Sequence, residues 1–258
     1  MKAIISFLVF LACGVGAKAL TLDQQADSAY AADDFSLAAQ LYTEVMQSEG
    51  TSSELYYNLG NCWYRLDKPG RAIVAYERAL RLDPSNKNAK TNLEFVNSKI
   101  FDRQGERGSF LSNAFDRAAT IMSSNSWALT AYLLFALLLG CAALYIFASA
   151  VRLRKLGFFG GIVLLFGTIA SAVLAVRGAN IASDNSFAII TSPSALLSTS
   201  PREPKDRAEE AMLLHEGTKV EILDSISAQN DTTGLKWLDV QVDNNHRAWI
   251  KSSDVERI

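Results

Sequence analysis

The sequence predicts a multidomain chain: an all-α module of paired helices, a two-helix transmembrane hairpin and a small all-β barrel. Three observations carry this. Trp127–Ala150 and Leu156–Val176 are apolar runs of 24 and 21 residues without a charge. As helices they would be about 30–36 Å long, enough to cross the hydrocarbon core of a bilayer. Before them, aromatic and small residues recur at a spacing of 34, the mark of a helical repeat. After them, short runs alternate apolar and polar side chains between turn residues, as half-buried strands do.

The totals exclude several classes of function. A net charge of −2 over 258 residues offers no basic face for nucleic acid. The 49% hydrophobic content averages an apolar middle with ordinary polar flanks. Cys13, Cys62 and Cys141 are too few and too scattered for a disulfide framework.

Residues 1–19 read as a signal peptide. Lys2 precedes an apolar core over Ala3–Ala12, and Ala17-Lys18-Ala19 supplies the small-x-small pattern for cleavage. Cys13 leaves a lipoprotein reading open, although Phe10 and Leu11 are bulky for a lipidation box. Export places the mature N-terminus outside the cytoplasm. The expected loop at 151–155 then lies inside, and its Arg152, Arg154 and Lys155, with no acid among them, agree with the positive-inside rule. The expected topology is an inner-membrane protein with both soluble segments on the periplasmic side.

Residues 20–105 carry the repeat. Tyr56, Leu59, Gly60 and Trp63, then Ala72, Tyr76, Ala79 and Pro84, resemble the tetratricopeptide pattern, with 53–86 as the best repeat. Gly60 and Ala72 let two helices approach, and Tyr56, Trp63 and Tyr76 fill the space beside them. Pro69-Gly70 after Asp67 starts the second helix, where proline loses no needed bond. Asp83-Pro84 stops it. One repeat earlier, Leu22, Ala26, Ala38 and Tyr42 make a degenerate copy. Downstream, Ala89, Leu93, Phe95, Val96 and Ile100 give one more helix with an apolar face.

The grooves of such repeats are lined by the first helix of each pair. This makes Tyr57, Asn58, Asn61, Tyr64 and Arg65 the candidate partner-binding residues. Their asparagines and arginine suit the backbone or carboxylate of an extended peptide; a solvated helix face without a ligand is the alternative. Asp23 and Asp27 in the copy argue against a carboxylate clamp.

Gly105 and Gly108 break the helical pattern. Phe110, Leu111, Ala114, Phe115, Ala118, Ile121 and Met122 then recur on one face, with Asp116 and Arg117 opposite. This juxtamembrane segment, 106–126, reads as an amphipathic helix, either lying on the bilayer or docked on the repeat module. The apolar runs hold no Asp, Glu, Lys, Arg or His, which speaks against transport. Gly157, Gly160, Gly161 and Gly167 allow close packing against the first span or against another membrane protein.

After a linker at 177–186, residues 187–258 are expected to form the barrel. Its strands fall at Phe187–Thr191, Met212–Leu214, Lys219–Leu223, Trp237–Val242 and Arg247–Ile250, with a polar loop ending at Gly234. Gly217-Thr218-Lys219-Val220, Trp237-x2-Val240 and Ala248-Trp249-Ile250 followed by Asp254-Val255 resemble a bacterial SH3-like domain. Ala248 stands where that family usually has glycine, and Leu197-Ser198 where it has arginine-serine. The resemblance implies binding of cell-wall peptides or protein tails, with Trp237 and Trp249 in the core or forming a ligand platform. His215 and His246 fall in turns without a spaced metal partner. No nucleophile–base–acid set can be assembled, so no catalysis, metal or cofactor is expected.

The order of parts is similar to the BatE family of the Bat aerotolerance operon. So are the stretches Tyr57-Asn58-Leu59-Gly60-Asn61 and Leu214-His215-Glu216-Gly217-Thr218. The resemblance implies an inner-membrane complex with von Willebrand A-domain partners, concerned with oxidative-stress tolerance or envelope protein assembly. The residues themselves point to a non-enzymatic scaffold or adaptor for protein partners. A cell-wall sensor that binds peptidoglycan through the SH3-like domain is the alternative.

Overall fold

The repeat spacing shows first in its turns. The computed structural model describes residues 20–102, 109–227 and 235–258. In it, Asp33 and Asp67 both adopt the left-handed conformation, at φ 60° and 55°, and each closes the turn inside one helix pair. The expected signal peptide over 1–19 with Cys13, the expected break at Gly105 and Gly108, and the expected loop ending at Gly234 lie outside the described residues.

The chain divides into two compact units at Gly50. The first holds α1 (Leu22–Ala31) and α2 (Phe35–Glu49). Thr21 and Gln24 cap α1 reciprocally, and the Asp34 carboxylate accepts from the Leu37 N–H to start α2. Ala26 and Ala38 are fully buried. The Tyr42 hydroxyl donates to Asp27 at 2.6 Å.

The second unit begins with α3 (Ser53–Arg65), α4 (Pro69–Leu82) and α5 (Lys87–Asn97). Proline at the first position of α4 has no N–H to leave unpaired. Asp83 ends the helix, its carboxylate accepting from Ser85. A Cβ on Gly60 would stand 2.6 Å from the Tyr76 ring, so this small residue is what lets α3 close on α4.

Next come α6 (Phe110–Ala119), α7 (Ser124–Phe147) and α8 (Val151–Ser183). By length and composition α7 and α8 can each cross a membrane, and they bury almost none of their apolar surface inside the protein. They pack as a hairpin in which Gly157 touches α7 directly: a Cβ there would be 2.6 Å from the Cys141 carbonyl oxygen. The turn falls at Ala148–Ala150. Arg152, Arg154 and Lys155, expected in a loop, instead occupy the first turns of α8, and α8 also runs through much of the expected linker at 177–186. Neither stretch contains proline, and a helix nucleated over a long apolar run extends at little cost into such residues.

Seven strands follow: β1 (Phe187–Ile190), β2 (Ser194–Ser198), β3 (Glu210–His215), β4 (Lys219–Ser227), β5 (Lys236–Gln241), β6 (Arg247–Lys251) and β7 (Val255–Arg257). All pair antiparallel, in the order β3-β2-β6-β5-β4-β1-β7. The expected closed barrel is thus corrected to an open sheet with β3 and β7 at its edges. Register shifts at Leu197/Ser198 and Ile222/Asp224 bend it. It curls enough for Ala195, Leu197 and Leu214 near one edge to share a core with Ala188 and Ile190 near the other.

The first strand serves two cores. Ala188 and Ile190 enter that of the sheet, while Phe187 and Ile189 join that of α4 and α5, with Ile73, Tyr76 and Ile258. Burial on both faces explains why β1 is an unbroken apolar run rather than an alternating one. Helices α4 and α5 of the second unit and the sheet, expected as separate parts, therefore pack as one body.

Candidate partner-binding site

Ser52 caps α3 through the Leu55 N–H, and the helix then turns two faces inward. Toward α4 lie the residues of the repeat signature. Gly60, Ala72, Tyr76 and Ala79 are buried; Tyr56, Leu59, Trp63 and Pro84 are half-buried. The Arg71 guanidinium lies 4.9 Å from the Trp63 ring centre, a cation–π contact that shields the indole's outer face. Cys62 is fully buried, and burial pushes its thiol up to about 12, which makes it a structural rather than a reactive cysteine.

Three of the five groove candidates contact α4 or α5. Asn61 Oδ1 accepts from the Tyr76 hydroxyl at 2.7 Å and from Asn92 Nδ2 at 2.8 Å, tying α3, α4 and α5 together. The Tyr57 ring packs 6.2 Å from that of Tyr76. Tyr64 meets Phe95 edge-on at 5.7 Å. Asn58 is half-buried, and Arg65 is exposed in the last turn of α3. Asn61 therefore has an architectural role that the sequence did not suggest. The first unit repeats it, with Tyr42 and Asp27 standing 34 residues before Tyr76 and Asn61.

Asn92, Phe95 and Lys99 belong to the same surface and were missed. Phe95, expected in the core, is 47% exposed, with the Lys99 ammonium 4.4 Å from its ring centre. The signal was the repeat itself: adding 34 to Asn58, Asn61 and Arg65 gives Asn92, Phe95 and Lys99.

The Leu214–Thr218 stretch does not form an open ligand loop. It plugs into the helices of the second unit. Asp102 accepts from the His215 N–H at 2.6 Å and from the Thr218 hydroxyl at 2.8 Å, and lies 3.1 Å from the His215 ring. Burial raises the Asp102 carboxyl, but these donors together outweigh it and hold the group below the usual aspartate range. Glu216 accepts from the Gly70 N–H at 2.9 Å, at the start of α4. Burial pushes its carboxyl above the usual glutamate value despite that bond and the nearby Arg71 and Lys68. Gly217 sits at φ +93°, and a Cβ on it would be 2.6 Å from Ile100. The left-handed backbone and the close approach both select glycine. Of the two candidate platform residues, Trp237 is buried and Trp249 half-buried.

At the closed end of the hairpin, Arg154 Nε donates to the Ala148 carbonyl at 2.8 Å, and Arg154 and Lys155 flank Tyr145, Phe158 and Phe159. Arg152 is exposed beside them. At the other end, Arg81 of α4 donates to the carbonyls of Asp184 and Ile258 and to Asn185 Oδ1.

A 69-residue stretch, 27% of the chain, is 35% identical to the protein SGT1 homolog of Oryza sativa subsp. japonica, and it spans only 19% of that protein. Residues 53–86, which fold as α3 and α4, match the family model of the tetratricopeptide repeat.

Proposed function

We propose that this chain is a non-enzymatic membrane scaffold that presents a tetratricopeptide groove to a protein partner. Tetratricopeptide repeats mediate protein–protein interaction, and the mounting of this one carries the reading. Arg81 holds the repeat's second helix to Asp184, the residue at which the apolar hairpin ends. The repeat is thus fixed to the hairpin rather than tethered by a loose linker.

The groove side offers Tyr57, Asn58, Asn61, Tyr64 and Arg65 from α3, with Asn92, Phe95 and Lys99 from α5 and its end. Paired aromatic rings beside Arg65 and Lys99 suit an extended peptide with acidic groups. In the same reading the curled sheet is an SH3-like module that has turned its His215–Thr218 turn inward as a latch. The basic cluster at Arg152, Arg154 and Lys155 faces the cytoplasm, so that both modules stand on the periplasmic side of the inner membrane. The resemblance to the BatE family makes von Willebrand A-domain membrane proteins the partner class, within a Bat-type aerotolerance or oxidative-stress complex.

The test is site-specific photo-crosslinking from Asn58 and Arg65 in the host membrane, with the captured protein identified. Arg65→Glu is expected to lower its yield while leaving the chain folded; unchanged capture sinks the groove reading. Alkaline phosphatase fused after Ile258 should be active, and an inactive fusion at normal expression contradicts the orientation. Sedimentation of the chain with peptidoglycan would favour the cell-wall sensor instead.

A further inference from the structure

The short helix α6 carries more exposed apolar surface than a water-facing helix can explain. Phe110, Leu111, Phe115 and Ile121 are 85%, 70%, 56% and 65% exposed. Within the helix, Phe110, Leu111, Ala114, Phe115 and Ala118 fill an arc of about 140° at 100° per residue, Ser112, Asn113, Asp116 and Arg117 fill the remainder, and Ile121 follows in the turn after the helix. Four large apolar side chains exposed together on a ten-residue helix and its end form a patch that burial in an apolar environment would stabilise.

The height of α6 on the hairpin is fixed by its polar side. Asp116 Oδ1 accepts from Arg177 Nε at 2.6 Å. The Ala119 carbonyl accepts from Trp127 Nε1 at 3.2 Å. Both partners mark one boundary: Trp127 opens the first apolar run, and Arg177 is the first charge after the second. Tryptophan and arginine at such positions sit where hydrocarbon meets headgroups. A helix pinned there leaves its apolar arc exposed, as α7 and α8 leave theirs, at the level where a bilayer's interface would lie.

We propose that α6 is an interfacial helix, its Phe110–Leu111–Phe115–Ile121 face sunk into the headgroup–acyl boundary beside the hairpin. The inference rests on α7 and α8 spanning the membrane. Its consequence is geometric. From Arg177, α8 continues to Ser183, about 9 Å further at 1.5 Å per residue, and Arg81 of the repeat takes hold of the next residue, Asp184. Embedded α6 braces that short stalk and sets the repeat at a fixed height above the bilayer.

The test uses the full chain in nanodiscs, with Cys13, Cys62 and Cys141 replaced and single spin labels placed at Phe115, Asn113 and, in α7, Leu133. Collision with oxygen and with an aqueous nickel chelate reports depth. Leu133 should be deep, Phe115 shallow but in lipid, and Asn113 open to the chelate. A Phe115 label as open to nickel as that at Asn113, with Leu133 deep, overturns the interfacial helix alone. A Phe115 label shielded from both reagents means that a protein surface or a second copy covers α6, and also overturns it. A Leu133 label open to nickel overturns the spanning hairpin itself. With the native cysteines retained, Phe115→Trp should be quenched by brominated phosphatidylcholine more than Asn113→Trp; equal quenching rejects the proposal by a second route.

Discussion

Asp102 and His215 are joined twice, through the backbone N–H and through the ring, across 113 residues of sequence. With the Thr218 hydroxyl they close the turn between β3 and β4 onto the end of the α-helical layer. Asp102→Ala removes the carboxylate that accepts from the His215 N–H and the Thr218 hydroxyl and contacts the His215 ring. It leaves the part-buried His215 N–H without its acceptor, at a cost of up to about 1–3 kcal/mol. Amide exchange at His215 and its neighbours should speed up while exchange within α7 stays unchanged; equal protection in the variant would contradict the latch. Because the Asp102 carboxyl is held below its ordinary value, its contribution is present above about pH 4, the unfolded aspartate pKa. It is lost as pH falls through the lower folded value.

Glu216 has the opposite sign. Burial raises its carboxyl in the fold, with Asp67 adding repulsion and Arg71 and Lys68 opposing it. The folded state therefore binds the proton more readily, and stability from this site falls as pH rises past the usual glutamate value. Glu216→Gln keeps an acceptor for the Gly70 N–H without burying a charge. It should stabilise the chain at pH 7 and flatten this part of the pH profile. Thermal unfolding of the two proteins at pH 5 and pH 8 checks it, and an unchanged difference between wild type and variant would refute the assignment.

The helices of the repeat and the two apolar spans were legible because each is specified locally. Gly60, Ala72 and Tyr76 need only one another, and a run without charges needs only its length. What was hidden depended on contacts between distant segments. Asp239 reads as a solvent-facing residue in an alternating strand, yet it is buried and paired with Arg247 of the next strand. Phe95 fits a helical apolar pattern, but α5 turns it outward beside Tyr64. Pro193 and its flanking serines read as a break in the sequence, whereas Ser194–Ser198 is a strand held by pairing with β3. The latch at His215–Thr218 was recognisable only as a motif, since its partners Asp102 and Gly70 lie more than 110 residues upstream.

A single side chain tests whether repeat and sheet are one cooperative body. Ile189 is fully buried, and although it belongs to β1 it packs with Ile73 and Tyr76 of α4. Ile189→Ala should cost about 2–5 kcal/mol. Exchange protection should fall in α4 and in β1 and β4 together. Loss confined to the strands would show that the helices of the second unit do not draw stability from the sheet.

Gly157 and Gly140 form a matched pair for the hairpin. A Cβ on Gly157 would lie 2.6 Å from the Cys141 carbonyl oxygen and 2.8 Å from the Tyr145 nitrogen, whereas one on Gly140 meets nothing within 4 Å. The obstruction at Gly157 is backbone, which no rotamer change can relieve, so α7 and α8 must separate there. Separation removes the close dispersion contacts between the two helices. Gly157→Ala should therefore destabilise the hairpin by about 1–3 kcal/mol, and Gly157→Leu by more. Gly140→Ala should be neutral or slightly stabilising, because it adds helix propensity without a clash. Thermal stability of the purified chain in one detergent reads all three. Equal behaviour of Gly157→Ala and Gly140→Ala would mean that the two helices do not meet at Gly157, and the close-packed hairpin would have to be abandoned.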